Sequence, residues 1–118
     1  MTKIRKFETG ATRNLSDHKI DYDGFLSASA LRRFGEYMHT KRVQADGVIR
    51  DSDNWKKGIP TNEYRKSLLR HVMDLKRIDE GETVYDDDTK EKLDRETLLC
   101  AILFNTQGYL FELLKAKN

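Results

Sequence analysis

A histidine and an aspartate in the stretch RHVMDL, residues 70–75, have the types and the spacing for proton transfer or metal binding. His71 and Asp74 lie three positions apart, so on a helix their side chains share one face. There His71 can act as a metal ligand, as a base, or as a group that orients a carboxylate. A purely structural interpretation fits the same residues: Arg70 forms a solvent-exposed ion pair with Asp74, and the histidine is half-buried.

Three acidic residues on separate predicted helices form the candidate metal set, namely Glu36, Asp74 and Glu96. Carboxylates that project from several helices into one cleft suit Mg²⁺ or Mn²⁺, which prefer oxygen ligands and keep positions open for water and phosphate. A metal-bound water can then attack a phosphate while the metal neutralises the developing charge. For Glu36, which borders the apolar positions Phe34 and Met38, the alternative is an exposed helix carboxylate.

The loop NWKKGIP, residues 54–60, holds the only tryptophan and the only proline of the chain. An aromatic ring and an amide can hold a nucleotide base by stacking and hydrogen bonding, and lysine or arginine can hold phosphate oxygens. Asn54, Trp55, Lys57 and Arg70 supply these groups. Trp55 can equally anchor the long loop to the core, and the two roles are compatible.

Asn105 follows directly on the apolar run LLCAILF, residues 98–104. A buried amide must find hydrogen-bond partners or lose about 1–3 kcal/mol of stability, so Asn105 is either a satisfied core residue or a further nucleotide contact. No strong fingerprint accompanies these groups, because the sequence lacks a Walker-type phosphate loop, a paired-cysteine metal site and a serine-elbow motif.

Three helices are predicted to carry these groups, at about residues 27–44, 61–80 and 93–115. Apolar residues recur at helical spacing in the first two, while the run LLCAILF in the third is apolar on every side, which is typical of a helix buried all round. The expected N-caps are Ser27 or Ser29, Thr61 and Asp94. Two short helices of one chain cannot cover the third helix. The predicted fold is therefore all-α, a bundle of three main helices with long loops, completed by homo-oligomerisation.

Length and composition bound the remaining possibilities. The 118 residues suit one domain, with an extended amino-terminal arm at residues 1–24 that ends in a short strand, and a single all-α domain at residues 25–118. The 22 basic and 20 acidic residues are well mixed, which argues against a dedicated nucleic-acid binder. We expect no membrane span and no signal peptide. The single Cys100 excludes an internal disulfide, fits a cytoplasmic protein, and is expected to be buried.

Five stretches occur in a distinctive order along the chain: GATRN at 10–14, KIDYDGFLSASALRRFGEYM at 19–38, NWKKGIP at 54–60, SLLRH at 67–71 and LLCAILFNTQGYL at 98–110. In this combination the chain, from about Gly10 to Leu114, resembles the dATP/dGTP diphosphohydrolase N-terminal-domain family of phage and prophage proteins. The resemblance implies a protein that works in the cytoplasm of an infected bacterial host.

That family is related to the all-α nucleoside triphosphate pyrophosphohydrolases of the MazG type. The relation implies an oligomeric helical bundle that holds magnesium with carboxylates and cuts a nucleoside triphosphate into a monophosphate and pyrophosphate. The MazG-type pattern is E-x-x-E on one helix and E-x-x-D on the next. This chain departs from it, because the second helix offers His71 and Asp74, and the residue three positions after Glu96 is Leu99.

Two hypotheses follow. In the first, the protein is a metal-dependent pyrophosphohydrolase on purine (deoxy)nucleoside triphosphates, with His71, Asp74 and Glu96 as catalytic residues. In the second, it binds and sequesters a nucleotide or a nucleotide-derived signal without turning it over, and the incomplete acidic motifs favour this. A structural protein with a vestigial pocket is the third possibility. The resemblance favours the first hypothesis.

Overall fold

The computed structural model describes residues 3–15 and 17–117, and this part of the chain is largely helical. One two-stranded antiparallel sheet precedes the helices and pairs β1 with β2. A 3₁₀ turn at Asn54–Lys57 interrupts the long connection between the second and third helices. The elements in chain order are β1 (Ile4–Lys6), β2 (Thr12–Asn14), α1 (Tyr22–Phe25), α2 (Ala28–Lys41), α3 (Thr61–Asp79) and α4 (Arg95–Lys115).

The antiparallel pair of α3 and α4 forms the centre of the molecule. Near the start of α3, the buried Tyr64 ring lies against Gly108, late in α4. At the opposite end, Arg95 Nε donates to Asp79 Oδ1 at 2.7 Å, which ties the start of α4 to the end of α3. The small core of buried apolar side chains gathers on this pair: Tyr64, Val84, Leu98, Cys100 and Ala101.

The helix boundaries follow the sequence closely where local capping sets them. Ser27 accepts a hydrogen bond from the backbone N–H of Ala30, and Asp94 accepts one from that of Thr97, so both caps are confirmed. The Thr97 backbone N–H also holds the pKa of the Asp94 carboxyl below its ordinary value. The expected cap at Thr61 is wrong, because α3 begins at Thr61 and Pro60 takes the cap position without a side-chain hydrogen bond.

The amino-terminal arm differs from the predicted extended segment. Its two short strands form a hairpin near its start, and the prediction of one strand at its end is wrong because α1 occupies that position. Asp21 caps α1 by accepting from the backbone N–H of Gly24 at 3.0 Å. All residues from 17 to 32 are exposed, so little of the arm packs on the helical body.

Helix α4 is buried on one side only, contrary to the expectation of burial all round. Leu98, Ala101 and Asn105 are buried, whereas Leu99 and Leu103 are exposed. By length and composition alone, the helix is also long and apolar enough to span a membrane, and part of it is buried inside the molecule. Soluble core helices can share these properties.

The close approach of α3 and α4 at Gly108 makes this glycine a test of the fold. A Cβ at position 108 would overlap the Tyr64 ring, and overpacking costs about 1–3 kcal/mol. We expect Gly108→Ala to lower the melting temperature by several degrees, measured by circular dichroism.

Gly35→Ala is the matched control, because nothing lies within 4 Å of the Cβ it would add in α2. It should raise stability by up to about 1 kcal/mol through helix propensity. Equal melting temperatures for the wild type and both variants would contradict the close helix contact.

Candidate functional site

A cleft of about 500 Å³ opens between α2, the connection after it, and the α3–α4 pair. This volume lies in the range of small-molecule sites. Three parts of the chain form its walls: the end of α2 with the following loop, the tryptophan turn, and the facing sides of α3 and α4. Its lining includes Tyr37, His39, Lys41, Arg42, Arg50, Asp51, Asn54, Trp55, Ser67, His71, Phe104 and Asn105.

The tryptophan anchors its loop to α4. The Trp55 ring stands edge-on to Phe111, with 4.9 Å between ring centroids, and to Phe104 at 6.0 Å. Tyr64 contacts Phe104 from the other side at 5.9 Å. Edge-to-face pairs add roughly 0.5–1.5 kcal/mol beyond burial, so this cluster fixes the loop. Trp55 also lines the cleft, and anchoring therefore leaves room for a ligand contact.

His71 lines this cleft and carries an unsatisfied polar atom. Its Nδ1 is buried and has no hydrogen-bond partner among the described residues. Burial lowers the pKa of the His71 imidazole, and the carboxylates of Asp74 and Asp86 counteract this only in part. The imidazole is therefore neutral near pH 7, with one nitrogen to donate and one to accept. A buried polar atom without a partner in a cleft calls for a ligand or a water.

Basic side chains form the opposite wall. The backbone N–H of Arg50 donates to the Arg42 carbonyl at 2.8 Å, and an antiparallel bridge joins Val43 to Ile49. This turn brings Arg42 and Arg50 to the same cleft that Lys41 lines. Arg42 is held by His39, since its Nε donates to the His39 carbonyl at 3.1 Å. Within the described part of the chain, Asp51 is the one acidic residue of the lining.

Two amides and a phenol complete the polar lining. Asn105 is 5% exposed, and its Nδ2 donates to the Ala101 carbonyl at 2.8 Å. This bond confirms that Asn105 is a satisfied core residue, and it leaves the amide oxygen as the group that can face a ligand. Asn54, at the start of the 3₁₀ turn, lies on the same cleft. Burial raises the pKa of the Tyr37 phenol, which remains a neutral donor.

The structure brings together part of the predicted site. Asn54, Trp55, His71 and Asn105 line the cleft, although they come from the turn and two helices. Arg70 and Lys57 are not among the lining residues. The Arg70 guanidinium instead donates to the Ser67 hydroxyl at 3.2 Å.

The three predicted metal carboxylates lie apart, and each pairs with an arginine. Glu36 accepts from Arg32 at 3.1 Å, one turn earlier in α2. Glu96 accepts from Arg33 at 3.0 Å. Asp74 lies 3.4 Å from Arg77 rather than pairing with Arg70. Among residues 3–15 and 17–117, no group of three metal-ligating side chains is close enough to hold an ion.

The cations of the cleft were missed by sequence reasoning. Lys41 and Arg42 end a helix, where basic residues are common for electrostatic reasons alone, and Arg50 follows eight residues later. The glycine at position 47, with a φ of 85°, marks the turn that brings the two segments together. This positive φ suits glycine. The sequence signal for the turn was therefore the glycine in the stretch QADGV, residues 44–48.

Comparison of the chain with protein-family models, with curated proteins and with solved structures finds no match. The resemblance described from the sequence is therefore neither supported nor opposed by these comparisons.

The burial of His71 predicts a specific pH dependence. Because the folded protein binds the imidazole proton more weakly than the unfolded chain, protonation opposes folding. The stability that the neutral imidazole provides is present above about pH 6.5 and is lost as the pH falls through the lower folded-state pKa. We expect His71→Gln to lose less stability between pH 7 and pH 5 than the wild type, measured by thermal unfolding.

The control is His18→Gln, because the His18 side chain is 71% exposed in the arm. It should retain the pH profile of the wild type. A His71→Gln profile parallel to that of the wild type would show that the imidazole is not held in a desolvated site.

Proposed function

We propose that the protein binds a nucleoside phosphate in this cleft. The observation that carries the proposal is a cleft lined by three cations, by the Trp55 and Phe104 rings and by His71, whose buried Nδ1 has no hydrogen-bond partner among the described residues. A phosphate ester supplies the negative charge that this wall suits, and a purine supplies a flat apolar surface with hydrogen-bonding edges. A purely apolar ligand would not compensate the positive charge of Lys41, Arg42 and Arg50.

The arrangement of the walls supports an orientation for the nucleotide. Lys41, Arg42 and Arg50 belong to the part of the cleft lining formed by the end of α2 and its following turn, and in this proposal they contact the phosphates. Charge-assisted hydrogen bonds from such groups are the strong ones in phosphate binding. In the same proposal Trp55 contacts the base by ring packing and Asn54 contacts it by amide hydrogen bonds.

Pyrophosphohydrolysis is the competing proposal, and it rests on the family resemblance. In that reaction Glu36, Asp74 and Glu96 would have to leave their arginine partners and converge on Mg²⁺ or Mn²⁺. Each pair lies at or near the surface, where an ion pair is worth about 0–1 kcal/mol, so the pairs are no strong barrier to rearrangement. Binding alone needs no such rearrangement, and the geometry therefore favours the binding function.

The proposed setting is the cytoplasm of an infected bacterial host, where the protein would sequester purine nucleotides or nucleotide-derived signals. We also propose that it acts as a homo-oligomer. One side of α4 is apolar and uncovered in the single chain, with Leu99 and Leu103 exposed, and another protein chain would cover it.

The cations of the cleft provide the direct test of binding. Arg50→Ala should weaken the binding of dATP or dGTP by about 1.5–3 kcal/mol, the range for a hydrogen bond to a charged group. Lys57→Ala removes a cation of the same loop that does not line the cleft and should leave affinity nearly unchanged. Calorimetric titration in excess EDTA measures both variants, and equal losses or no binding by the wild type would contradict the proposal.

Turnover is tested separately with the same nucleotides in Mg²⁺ and in Mn²⁺. The binding proposal predicts unchanged nucleotide on chromatography after long incubation. Release of pyrophosphate by the wild type but not by a variant with Asp74→Asn and Glu96→Gln would establish the hydrolase instead. The variant should keep its affinity in EDTA, because neither carboxylate lines the cleft.

A further inference from the structure

The single chain exposes far more surface than a compact monomer. A monomer of this mass exposes about 6,600 Å², whereas this chain exposes 9750 Å². Its radius of gyration is 19.8 Å, against about 13–14 Å for a compact chain of this length. The exposed amino-terminal arm and the exposed apolar residues of the helical body both contribute to the difference.

The exposed apolar residues of α4 have a regular pattern. Leu99, Leu103, Leu110 and Leu113 are between 41% and 55% exposed, and with Thr106 they are spaced by four, three, four and three residues. Alternation of three and four is the spacing at which apolar side chains meet across a helix–helix seam. A lone exposed leucine is ordinary on a protein surface, but a continuous row is not.

Helix α3 carries exposed apolar residues of its own. Leu69, Val72 and Met73 are between 40% and 56% exposed. Leu69 precedes the cleft residue His71 by two positions, and Leu103 likewise precedes the cleft residue Asn105 by two. Two positions are about 200° around a helix, so on both helices the exposed apolar residues point away from the cleft. We refer to residues 69, 72, 73, 99, 103, 110 and 113 as the outer face.

We propose that a second copy of this chain covers the outer face, so that two α3–α4 pairs form a central four-helix bundle. The two clefts then lie on opposite outer sides of the dimer, and each is built by one chain alone. The proposal goes beyond nucleotide binding and does not depend on which ligand the cleft takes.

The excess exposed area of the chain is large enough to include the interface of a stable dimer. The excess over a compact monomer is roughly 3,000 Å² per chain, including the arm, by the surface scaling above. Obligate homodimers bury about 2,000–5,000 Å² in total, or roughly 1,000–2,500 Å² per partner. The outer face is bordered by charged α3 residues such as Arg65 and Lys76, which gives the apolar centre and polar rim of a protein interface.

A second copy fits the outer face better than a lipid bilayer does, although α4 has the length and hydropathy of a membrane span. A bilayer would surround the helix, but one side of α4 already packs on Tyr64 and on the Trp55 loop. Glu112 lies within α4 and accepts a hydrogen bond from the backbone N–H of Ile59 at 3.3 Å. Only one side of the helix is free, and another helix pair matches that shape.

Oligomeric mass is the first measurement. Light scattering coupled to size exclusion should give twice the mass of the chain for the ligand-free wild type at micromolar concentration. Leu103→Glu with Leu110→Glu places two carboxylates in the centre of the outer face and should give a monomer. The matched control, Ile20→Glu with Val48→Glu, places two carboxylates at similarly exposed apolar positions outside the outer face and should remain dimeric.

A monomeric wild type would overturn the proposal, as would a Leu103→Glu, Leu110→Glu variant that stays dimeric. Flotation of the ligand-free wild type with phosphatidylcholine vesicles would also overturn it, in favour of a lipid surface.

A second measurement needs no variant and therefore does not depend on the variant's folding. In hydroxyl-radical footprinting of the wild type, Leu103 and Leu110 should be oxidised at least several-fold more slowly than they are in the free chain at high dilution. Ile20 should not change with dilution. Equal oxidation of the two leucines at both concentrations would overturn the proposal.

The arrangement of the clefts is tested by stoichiometry. If dATP binds, the dimer should take one molecule per chain. A mixed dimer of the wild type with Arg50→Ala should keep one site of wild-type affinity. Loss of both sites in the mixed dimer would overturn the claim that each cleft belongs to one chain.

Absence of dATP binding would refute the proposed function. The mass and footprinting results would then still decide whether the protein is a dimer.

Discussion

The contact between Tyr64 and Gly108 is the constraint on which the rest of the structure depends. The absence of a side chain at position 108 lets the Tyr64 ring lie directly on α4, and this sets both the distance and the register of the helix pair. The register in turn places His71 and Asn105 on the same cleft. The same ring contacts Phe104, which extends the buried cluster to the tryptophan turn.

The pair of helices α3 and α4 has two faces that differ in chemistry, one polar and aromatic and the other apolar. The cleft side combines aromatic rings, amides, a desolvated imidazole and three cations, and it suits a ligand that is part aromatic and part anionic. The outer face carries exposed leucines of both helices together with Val72 and Met73, and on α4 the row of leucines includes Thr106. Because neighbouring turns of α3 and α4 contribute to both faces, packing on the outer face would also stiffen the cleft wall.

Local chemistry made the main elements predictable from the sequence. Ser27, Asp94 and Pro60 mark helix starts by capping and by ring geometry, and the apolar spacing indicates three helices within a few residues of the observed bounds. Asn54, Trp55, His71 and Asn105 could be selected because an indole in a loop, or an amide after an apolar run, is unusual for its surroundings. Capping residues, apolar spacing and unusual residue types can each be recognised from a few neighbouring positions in the sequence.

Non-local geometry limited the remaining predictions. Arg50 joins the cleft only because the turn at Gly47 pairs Val43 with Ile49, and side-chain type alone does not reveal this. Glu36 and Glu96 were expected to converge on a metal. Their nearest partners are instead Arg32 and Arg33, and the Arg33–Glu96 pair links two helices whose relative rotation the sequence pattern does not specify.

The central claim is that the cleft, rather than the arm or the outer face, binds a nucleoside phosphate. Titration of isotope-labelled protein with dATP in EDTA, followed by amide NMR, tests it most directly. If the cleft binds dATP, we expect chemical-shift changes concentrated at residues 39–55, 67–71 and 104–105. We also expect a rise in the pKa of His71 as phosphate approaches the imidazole. No saturable change, or changes confined to the amino-terminal arm, would contradict it.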